Sequence, residues 1–279
     1  MKKTWIAAAA AALLAAAVLT GCGKDKAPSA EMQGKTVNIA YVVNYPPYDY
    51  QGENKEPAGM EPAVMAEVAK REGWNAKFIP TSSEDLLIGL EAGKYDVGIK
   101  GVWKTPEREK KFIFPKHYMA ASVIGITFRA EDKDKIHSLE DFARVSGKLV
   151  PISPLSAQYT VITEFNKAHP DTPIQLVPAE TFDSNDVYTW VMEGRYDAYF
   201  DLEVLYNENV KKESGSYHQF ADRLAYVRYK AIPTYPLFNK KKQDLADGYD
   251  KAITAMKDDG TFVKLENQYF GEDIAQLVK

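Results

Sequence analysis

One arginine, Arg108, lies where a new helix should begin and could therefore hold an anion. Thr105 and Pro106 mark the helix start, because proline fits the first helical turn without needing its missing backbone donor. The unpaired N–H groups of such a start attract negative charge, and a guanidinium beside them can hold a carboxylate through two parallel hydrogen bonds. The pattern predicts a carboxylate site at Arg108, with an ordinary surface arginine as the alternative.

A second charge, Asp201, occupies the matching place in the other half of the chain. Residues 184–200 repeat the pattern of the first half, and setting Gly194 on Gly93 aligns two helix-to-strand turns, GRYD and GKYD. The alignment also pairs Ser83 with Ser184, Asp85 with Asp186, Lys94 with Arg195, Tyr95 with Tyr196 and Asp96 with Asp197. The turn could recur simply as a good connection, but a true repeat predicts two similar α/β lobes that offer a cation and an anion to a shared cleft.

The elements around these charges are those of an α/β fold. Alternating β-branched residues over 37–43 predict the first strand, and the prolines of YPPY stop the sheet because they cannot donate ladder bonds. A helix opens at Glu61 and ends at Gly73, and the next strand is predicted over 76–79. This β-α-β order implies a largely parallel sheet.

The rest of the chain continues the alternation of strands and helices. Strands over 121–128 and 225–232 are predicted to cross between the lobes, and two crossings make a hinge. The other predicted elements are a helix capped by Ser138, strands over 148–152 and 174–177, a helix from the Ser156 cap to Ala168, and amphipathic helices over 244–256 and 261–269.

The N-terminus carries a secretory signal. Two lysines precede an apolar run over 5–18, which is too short for a comfortable membrane span and ends in the small-residue sequence LTGC. This ending is typical of bacterial lipoproteins, with an ordinary signal peptide and an incidental cysteine as the alternative. We expect residues 1–21 to be removed, Cys22 to carry lipid, and residues 22–35 to form a flexible tether.

Composition and charge exclude several classes of function. The 279 residues are 45% hydrophobic and 27% charged, which is ordinary for a globular protein and sufficient for two modest cores. Removal of the signal takes Lys2 and Lys3 and changes the formal charge from −4 to −6, which argues against a nucleic-acid partner. The sole cysteine cannot form an internal disulfide, and the four histidines show no metal-ligand spacing. We expect neither a metal nor a cofactor.

Residues 89–114, GLEAGKYDVGIKGVWKTPEREKKFIF, carry the signature of a known family. They resemble the L-x-x-G-K-x-D…T-P-E-R…F pattern of the amino-acid-binding family of extracellular solute-binding proteins, the receptors of ABC importers. Four further motifs follow the family's order: YPPY at 45–48, GME at 59–61, GRYDAYFD at 194–201 and DGT at 259–261. The resemblance implies a periplasmic-binding-protein-like α/β fold with two lobes, a two-stranded hinge and a ligand cleft between the lobes.

The resemblance also implies lobe boundaries and roles for individual residues. Lobe 1 is expected over 36–122 and 236–279, and lobe 2 over 123–235. The family residue that matches Arg108 holds the α-carboxylate of the ligand, and the one that matches Asp201 binds its α-ammonium, although a loop or cap aspartate is the alternative. Ser156 matches a threonine that supports the carboxylate from the second lobe. Tyr45 matches an aromatic residue that covers the ligand, though it could equally be a core tyrosine.

The side-chain end of the predicted pocket departs from the family pattern. Trp103 replaces a hydroxyl residue, Lys100 occupies the preceding pocket position, and Ser83 replaces an aromatic residue. These three departures leave open a ligand other than a standard amino acid. Acidic residues that receptors for basic amino acids commonly use are replaced by Val42 and Ala63, so no carboxylate awaits a cationic side chain. The predicted ligand-binding set is Tyr45, Ser83, Lys100, Gly101, Trp103, Arg108, Ser156 and Asp201.

These features predict a monomeric, lipid-anchored receptor on the periplasmic or extracellular face of the bacterial cell envelope. It is expected to close its lobes on a small zwitterion, a neutral polar, aromatic or acidic amino acid or derivative, and to deliver it to an ABC permease. One alternative is an enzyme, since a few members of the superfamily are dehydratases acting on small cyclic acids. A sensory module is a third alternative, but the sequence shows no membrane-spanning segment after the second lobe.

Overall fold

Strands and helices alternate along the computed structural model, which describes residues 33–145, 147–154, 156–179 and 186–278. Cys22, the rest of the leader and Ser184 lie outside the described residues. The elements of the first half are β1 (Thr36–Val42), β2 (Asn44–Tyr45), β3 (Asp49–Gln51), β4 (Pro57–Ala58), α1 (Met60–Glu72), β5 (Asn75–Thr81), α2 (Ser83–Ala92), β6 (Val97–Trp103), α3 (Pro106–Lys111) and β7 (Ala120–Arg129).

The second half has longer connections. Its elements are α4 (Leu139–Arg144), α5 (Ala157–Ala168), α6 (Val187–Met192), β8 (Ala198–Leu202), α7 (Glu203–Tyr206), β9 (Leu224–Phe238), α8 (Gln243–Asp258) and α9 (Thr261–Phe270). Short helical turns add Ala130–Asp132, Asn207–Lys211, His218–Phe220 and Ile274–Leu277. The predicted helices are confirmed to within about one turn at each end.

The main sheet of the described chain has the spatial order β5-β1-β6-β9-β7-β8. β5, β1 and β6 run parallel, as the β-α-β order predicts, whereas the remaining pairs are antiparallel. A second, small sheet, β2-β3-β4, follows β1. YPPY therefore does not simply stop the sheet, because its tyrosine at position 45 belongs to β2 and its prolines form the turn that returns the chain through β3.

The core of the first lobe lies between the parallel strands and three helices. Val64 and Met65 lie on the apolar side of α1 and are fully buried, as the helical periodicity predicts. The helix ends at Gly73 in the left-handed conformation, with φ of 69°. Tyr249 of α8 and Phe262 of α9 belong to the same core, so the C-terminal helices pack on the first lobe.

The second lobe repeats this plan with less regular strands. The predicted strands over 148–152 and 174–177 are wrong as continuous strands, since these segments form isolated parallel bridges: Lys148 with Gln175, Leu149 with Ala198, and Ile152 with Pro178. Pro151 interrupts the first segment, while Pro173 and Pro178 flank the second, and each proline removes a donor that a continuous ladder needs. The segment at 148–152 still lies between its two neighbours, as β1 lies between β5 and β6.

The two copies of the repeated turn have the same backbone geometry. Gly93 and Gly194 are left-handed, with φ of 83° and 73°, a conformation that favours glycine at a helix end. Asp96 and Asp197, three residues later, each accept a hydrogen bond of 2.8 Å from a backbone N–H of the adjacent strand segment. The shared turn thus connects a helix to a strand in both lobes. The charge that follows the turn differs, since it is Arg108 in the first lobe and Asp201 in the second.

β7 and β9 connect the lobes. They pair antiparallel from Ala120 opposite Thr234 to Arg129 opposite Leu224. β9 extends beyond the predicted 225–232, because it continues past Pro233 to pair with β6 of the first lobe. From these crossing strands we propose the lobe boundaries given above, with 36–122 and 236–279 forming one lobe and 123–235 the other.

The last described residues return to the two connecting strands. Ile274 packs with Val123 and Ala231, and Arg228 of β9 pairs with Glu203 after β8 and with Glu272 after α9, at 2.9 and 2.6 Å. The hinge is therefore covered by the C-terminal segment. Among the helices that the structure describes, none has the length and apolar character needed to cross a membrane.

Candidate functional site at the junction of the lobes

Arg108 lies in the first turn of α3, as the sequence predicts. Thr105 caps the helix, its Oγ1 accepting a bond of 3.4 Å from the Arg108 N–H, and Pro106 is the first helical residue. The guanidinium donates to the Trp103 carbonyl oxygen at 2.7 Å. Its burial lowers the pKa of Arg108, and no carboxylate of the described residues lies within 4.0 Å of it. The half-buried positive charge is available to a ligand.

Asp201 is the fourth residue of β8, so it lies within the strand rather than just after it as predicted. The residue is 8% exposed. Its carboxylate accepts bonds from the Leu202 N–H at 2.7 Å, from the Gln158 amide at 3.4 Å and from the Tyr199 hydroxyl. Burial raises the pKa of Asp201, while these neutral donors favour the charged form. No cation of the described residues pairs with this carboxylate.

Ser156 caps α5, the helix that also carries Gln158, a hydrogen-bond partner of Asp201. Its Oγ accepts a bond of 3.2 Å from the Tyr159 N–H and donates one of 2.8 Å to the Ser153 carbonyl. Gln158, two residues later in the first turn of the same helix, bonds Asp201. The hydroxyl proton of Ser156 is already used, so its predicted contact with a ligand would have to use its remaining acceptor capacity or the open start of the helix.

Tyr45 and Gly101 are in direct contact. Gly101 is left-handed with φ of 63°, and a Cβ atom there would lie 2.9 Å from Cε1 of the Tyr45 ring, so glycine makes room for the aromatic side chain. Tyr45 also stacks on Tyr48, with ring centroids 5.0 Å apart. Burial raises the pKa of Tyr45, with further contributions from Tyr48, Asp201 and Glu61. The ring thus lies between acidic groups of the two lobes.

Lys100 and Ser83 are hydrogen-bonded to each other. The ammonium of Lys100 donates to the Ser83 hydroxyl, and no carboxylate of the described residues lies within 4.0 Å of the ammonium. Burial lowers the pKa of Lys100, and the nearby charge of Arg108 lowers it further. Two half-buried cations therefore share one region of the first lobe.

Trp103 belongs to the predicted ligand-binding set, but its side chain packs against apolar residues. The residue is 9% exposed, and it packs with Ile124 and Phe200 in the core of the second lobe. Its carbonyl oxygen orients the Arg108 guanidinium. A contact between its ring and a ligand stays a prediction, because apolar packing accounts for most of the ring's surface.

A buried pair of acids, Asp49 and Glu61, lies behind the Tyr45 ring and was not predicted. Both residues are 0% exposed. Glu61 accepts bonds from the Gly101 N–H at 3.0 and 3.1 Å and from the Thr234 hydroxyl at 3.2 Å. Burial raises the pKa of Glu61, and burial together with the charge of Glu61 raises the pKa of Asp49 well above its usual range. Burial therefore favours the protonated forms of these two carboxyls.

Tyr45 is the member of the predicted set that packs against the apolar clusters of both lobes. Lys100 and Gly101 follow Ile99, the last residue of β6 that pairs with β1, and Arg108 lies beyond the end of β6; ligands of open α/β sheets bind at this edge. Asp201 lies on the second lobe, and its charge reaches the Tyr45 ring. Gln158, Tyr199 and Tyr226 also support this site and were missed; the Tyr226 hydroxyl donates to the Asp201 carbonyl at 2.8 Å. The contacts of Gln158 and Tyr226 join distant segments, so no local motif could have identified them, whereas Tyr199 lies only two residues from Asp201 in β8.

Within the described ranges, no group of three or more histidine, cysteine, aspartate or glutamate residues is placed to hold a metal ion. The charged groups of the site are Arg108, Lys100 and Asp201, and their nearest neighbours are hydroxyls, amides and backbone groups. Such an arrangement can bind charged groups of a ligand.

Comparison with known proteins identifies the family. A family model described as "Bacterial extracellular solute-binding proteins, family 3" matches residues 37–272. The L-cystine-binding protein TcyJ of Bacillus subtilis is 30% identical, with 92% of this chain and 91% of that protein covered. The arginine-binding extracellular protein ArtP of Bacillus subtilis is 25% identical, with 96% and 98% covered.

A solved structure shares the fold. The crystal structure of the probable amino-acid ABC transporter extracellular-binding protein YtmK from Bacillus subtilis superposes with a TM-score of 0.70 at 24% identity, covering 86% of this chain and all of that one (100%). The resemblance carried by the sequence motifs and the expected two-lobed, periplasmic-binding-protein-like fold are thereby confirmed. The chain belongs to family 3 of the bacterial extracellular solute-binding proteins.

Proposed function

We propose that this protein is the substrate-binding receptor of an ABC importer and that it binds a small amino-acid-like zwitterion. The observation that carries the proposal is the pair Arg108 and Asp201. They bear opposite charges, come from opposite lobes, and have no ion partner among the described residues. A zwitterion can satisfy both, its carboxylate at the guanidinium and its ammonium at the buried aspartate.

Two further observations support a small ligand enclosed by lobe closure. The lobes are joined by the paired strands β7 and β9, an arrangement that permits a hinge motion around a ligand. Tyr45 contributes an aromatic ring beside Gly101 that could cover the bound molecule. Relatives with assigned ligands are receptors for L-cystine and for arginine, which favours an amino acid over a cyclic acid and a receptor over an enzyme.

A thermal-shift screen against amino acids, cystine, small peptides and cyclic acids tests this function. A ligand that binds the folded state raises the melting temperature by mass action, so at least one zwitterion should raise it at micromolar to millimolar concentration. Calorimetry then gives Kd, and analysis of products after incubation tests for turnover. Failure of every zwitterion, or chemical conversion of the best ligand, would contradict a binding receptor for amino acids.

The two cations of the site, Lys100 and Arg108, lead to a prediction about basic ligands. We expect lysine and arginine to bind at least about tenfold more weakly than the best neutral or acidic ligand, because Lys100 and Arg108 already place two cations in the site and burying another is unfavourable. Titration calorimetry with matched samples measures the ratio. Tightest binding by either basic amino acid would show this prediction to be wrong.

Lipid anchoring at Cys22 is a separate prediction, motivated by the sequence LTGC after the apolar run. Expressed with its leader in a bacterial host, the wild-type protein should partition into detergent and carry acyl chains visible by mass spectrometry. Cys22→Ala should abolish both properties and leave ligand binding unchanged. Recovery of the wild-type protein as an unacylated, fully soluble species would contradict this prediction.

A further inference from the structure

Resting on the proposed function, we infer that the ligand is an α-amino acid with a second carboxylate, which Lys100 and Ser83 hold while Arg108 binds the first. Dicarboxylic amino acids meet this description. So do larger ligands, such as cystine, that carry a carboxylate at each end.

The position of Lys100 and Ser83 is the first argument. The ladder between β1 and β6 ends at Ile99, so Lys100 is the next residue at the carboxyl edge of the parallel strands. Ser83 begins α2 directly after β5 and therefore lies at the same edge. Ligands of open α/β sheets bind beyond this edge. The pair is thus on the ligand side of the first lobe, close to Arg108.

The hydrogen bonding of Ser83 is the second argument. The cap of α2 is the neighbouring Ser82, whose hydroxyl accepts a bond of 3.1 Å from the Asp85 N–H. Ser83 is therefore not needed as a cap, and its hydroxyl accepts from Lys100. A serine hydroxyl can accept one bond and donate another, so its proton remains for an anionic oxygen. Ammonium and hydroxyl donors side by side suit a carboxylate.

The charge of the site is the third argument. Lys100 and Arg108 are both half-buried, and no carboxylate within the described part of the chain pairs with either. The buried acid Glu61 accepts from the Gly101 N–H and the Thr234 hydroxyl and forms no ion pair with Lys100. Burial lowers the pKa of Lys100, and repulsion by the neighbouring charge of Arg108 lowers it further. A ligand with two carboxylates neutralises both cations.

The test compares ligands that differ in one charge and uses two lysine variants. Wild-type protein is titrated with L-glutamate, L-glutamine and L-cystine, and the titrations are repeated with Lys100→Met and Lys110→Met. Lys110 is exposed and has no ion pair among the described residues, so its variant controls for the loss of a nearby positive charge. Arg108→Met, titrated with the same ligands, reports on the proposed function alone.

We expect the tightest ligand of the wild type to be glutamate or cystine, bound at least about tenfold more tightly than glutamine. Lys100→Met should weaken that ligand by about tenfold or more and change glutamine binding less than about threefold, while Lys110→Met resembles the wild type. Ser83→Ala should weaken the same ligand in the same direction, which keeps the test valid if Lys100→Met does not fold.

Two outcomes would overturn the inference. One is glutamine or another monocarboxylic amino acid binding as tightly as both glutamate and cystine. The other is Lys100→Met weakening all ligands by the same factor. In either case, loss of all binding in Arg108→Met would leave the proposed function standing, whereas unchanged binding in Arg108→Met would remove the zwitterion model itself.

Discussion

Arg108→Ala and Asp201→Asn should each weaken binding of the native ligand by roughly two decades or more. Removing one partner from a desolvated, charged hydrogen bond costs about 2 to 5 kcal/mol, and each 1.4 kcal/mol is a factor of about ten in Kd. Asp201→Asn keeps an acceptor for the Leu202 N–H at 2.7 Å, so the change removes charge with little change in shape. Titration calorimetry of both variants measures the loss.

The controls separate a binding effect from a folding effect. Arg144, whose side chain is 66% exposed and pairs with Asp141 on the same helix, gives a matched variant, Arg144→Ala, and the exposed Asp134 gives Asp134→Asn. Both should bind as the wild type does. The site variants should keep the circular dichroism spectrum and melting behaviour of the unliganded protein. Wild-type affinity in both Arg108→Ala and Asp201→Asn would refute the zwitterion model.

The places of Arg108 and Asp201 in the fold could largely be predicted because they depend on local signals. A proline in the first helical turn, a glycine that ends a helix and a strand between them are all encoded within a few residues of Arg108. The helix-ending glycine and the strand recur before Asp201, but Asp201 lies within β8, whereas the sequence predicted a position after the strand. Their partners depend on segments far apart in the chain, such as Gln158 beside Asp201.

The irregular strands of the second lobe and the burial of Trp103 could not be predicted. Apolar, β-branched stretches at 148–152 and 174–177 resemble strands, yet the prolines in and beside them leave only isolated bridges. Whether β propensity or the missing proline donors decide the outcome depends on tertiary packing. Trp103 is part of a first-lobe strand, but its ring packs in the second-lobe core. Whether a ring faces a ligand or an opposing lobe is decided by how the lobes meet, which no local pattern encodes.

The buried acids Asp49 and Glu61 lead to a second prediction with a large effect: their contribution to the free energy of unfolding should fall as pH rises. The folded-state pKa values of Asp49 and Glu61 are raised, chiefly by burial, so above about pH 4 the folded protein holds more protons than the unfolded chain, whose carboxyls titrate near their ordinary values. The contribution of this pair to the free energy of unfolding is therefore fully present at low pH and is lost as pH rises through the raised values. Asp49→Asn should remove most of this dependence.

Asp49 is the better position for the substitution because neither of its carboxyl oxygens has a donor among the described residues, whereas Glu61 receives bonds from Gly101 and Thr234. Asparagine has the same shape, carries no proton to lose, and can donate its amide to Glu61 at any pH. At pH 8.5 the variant should be more stable by about 1 to 3 kcal/mol, the usual cost of a buried polar group without a partner. Melting curves between pH 5 and pH 8.5 measure the effect, with Asp134→Asn as the exposed control. Equal destabilisation of Asp49→Asn at every pH would contradict this prediction, because the loss would then come from packing alone.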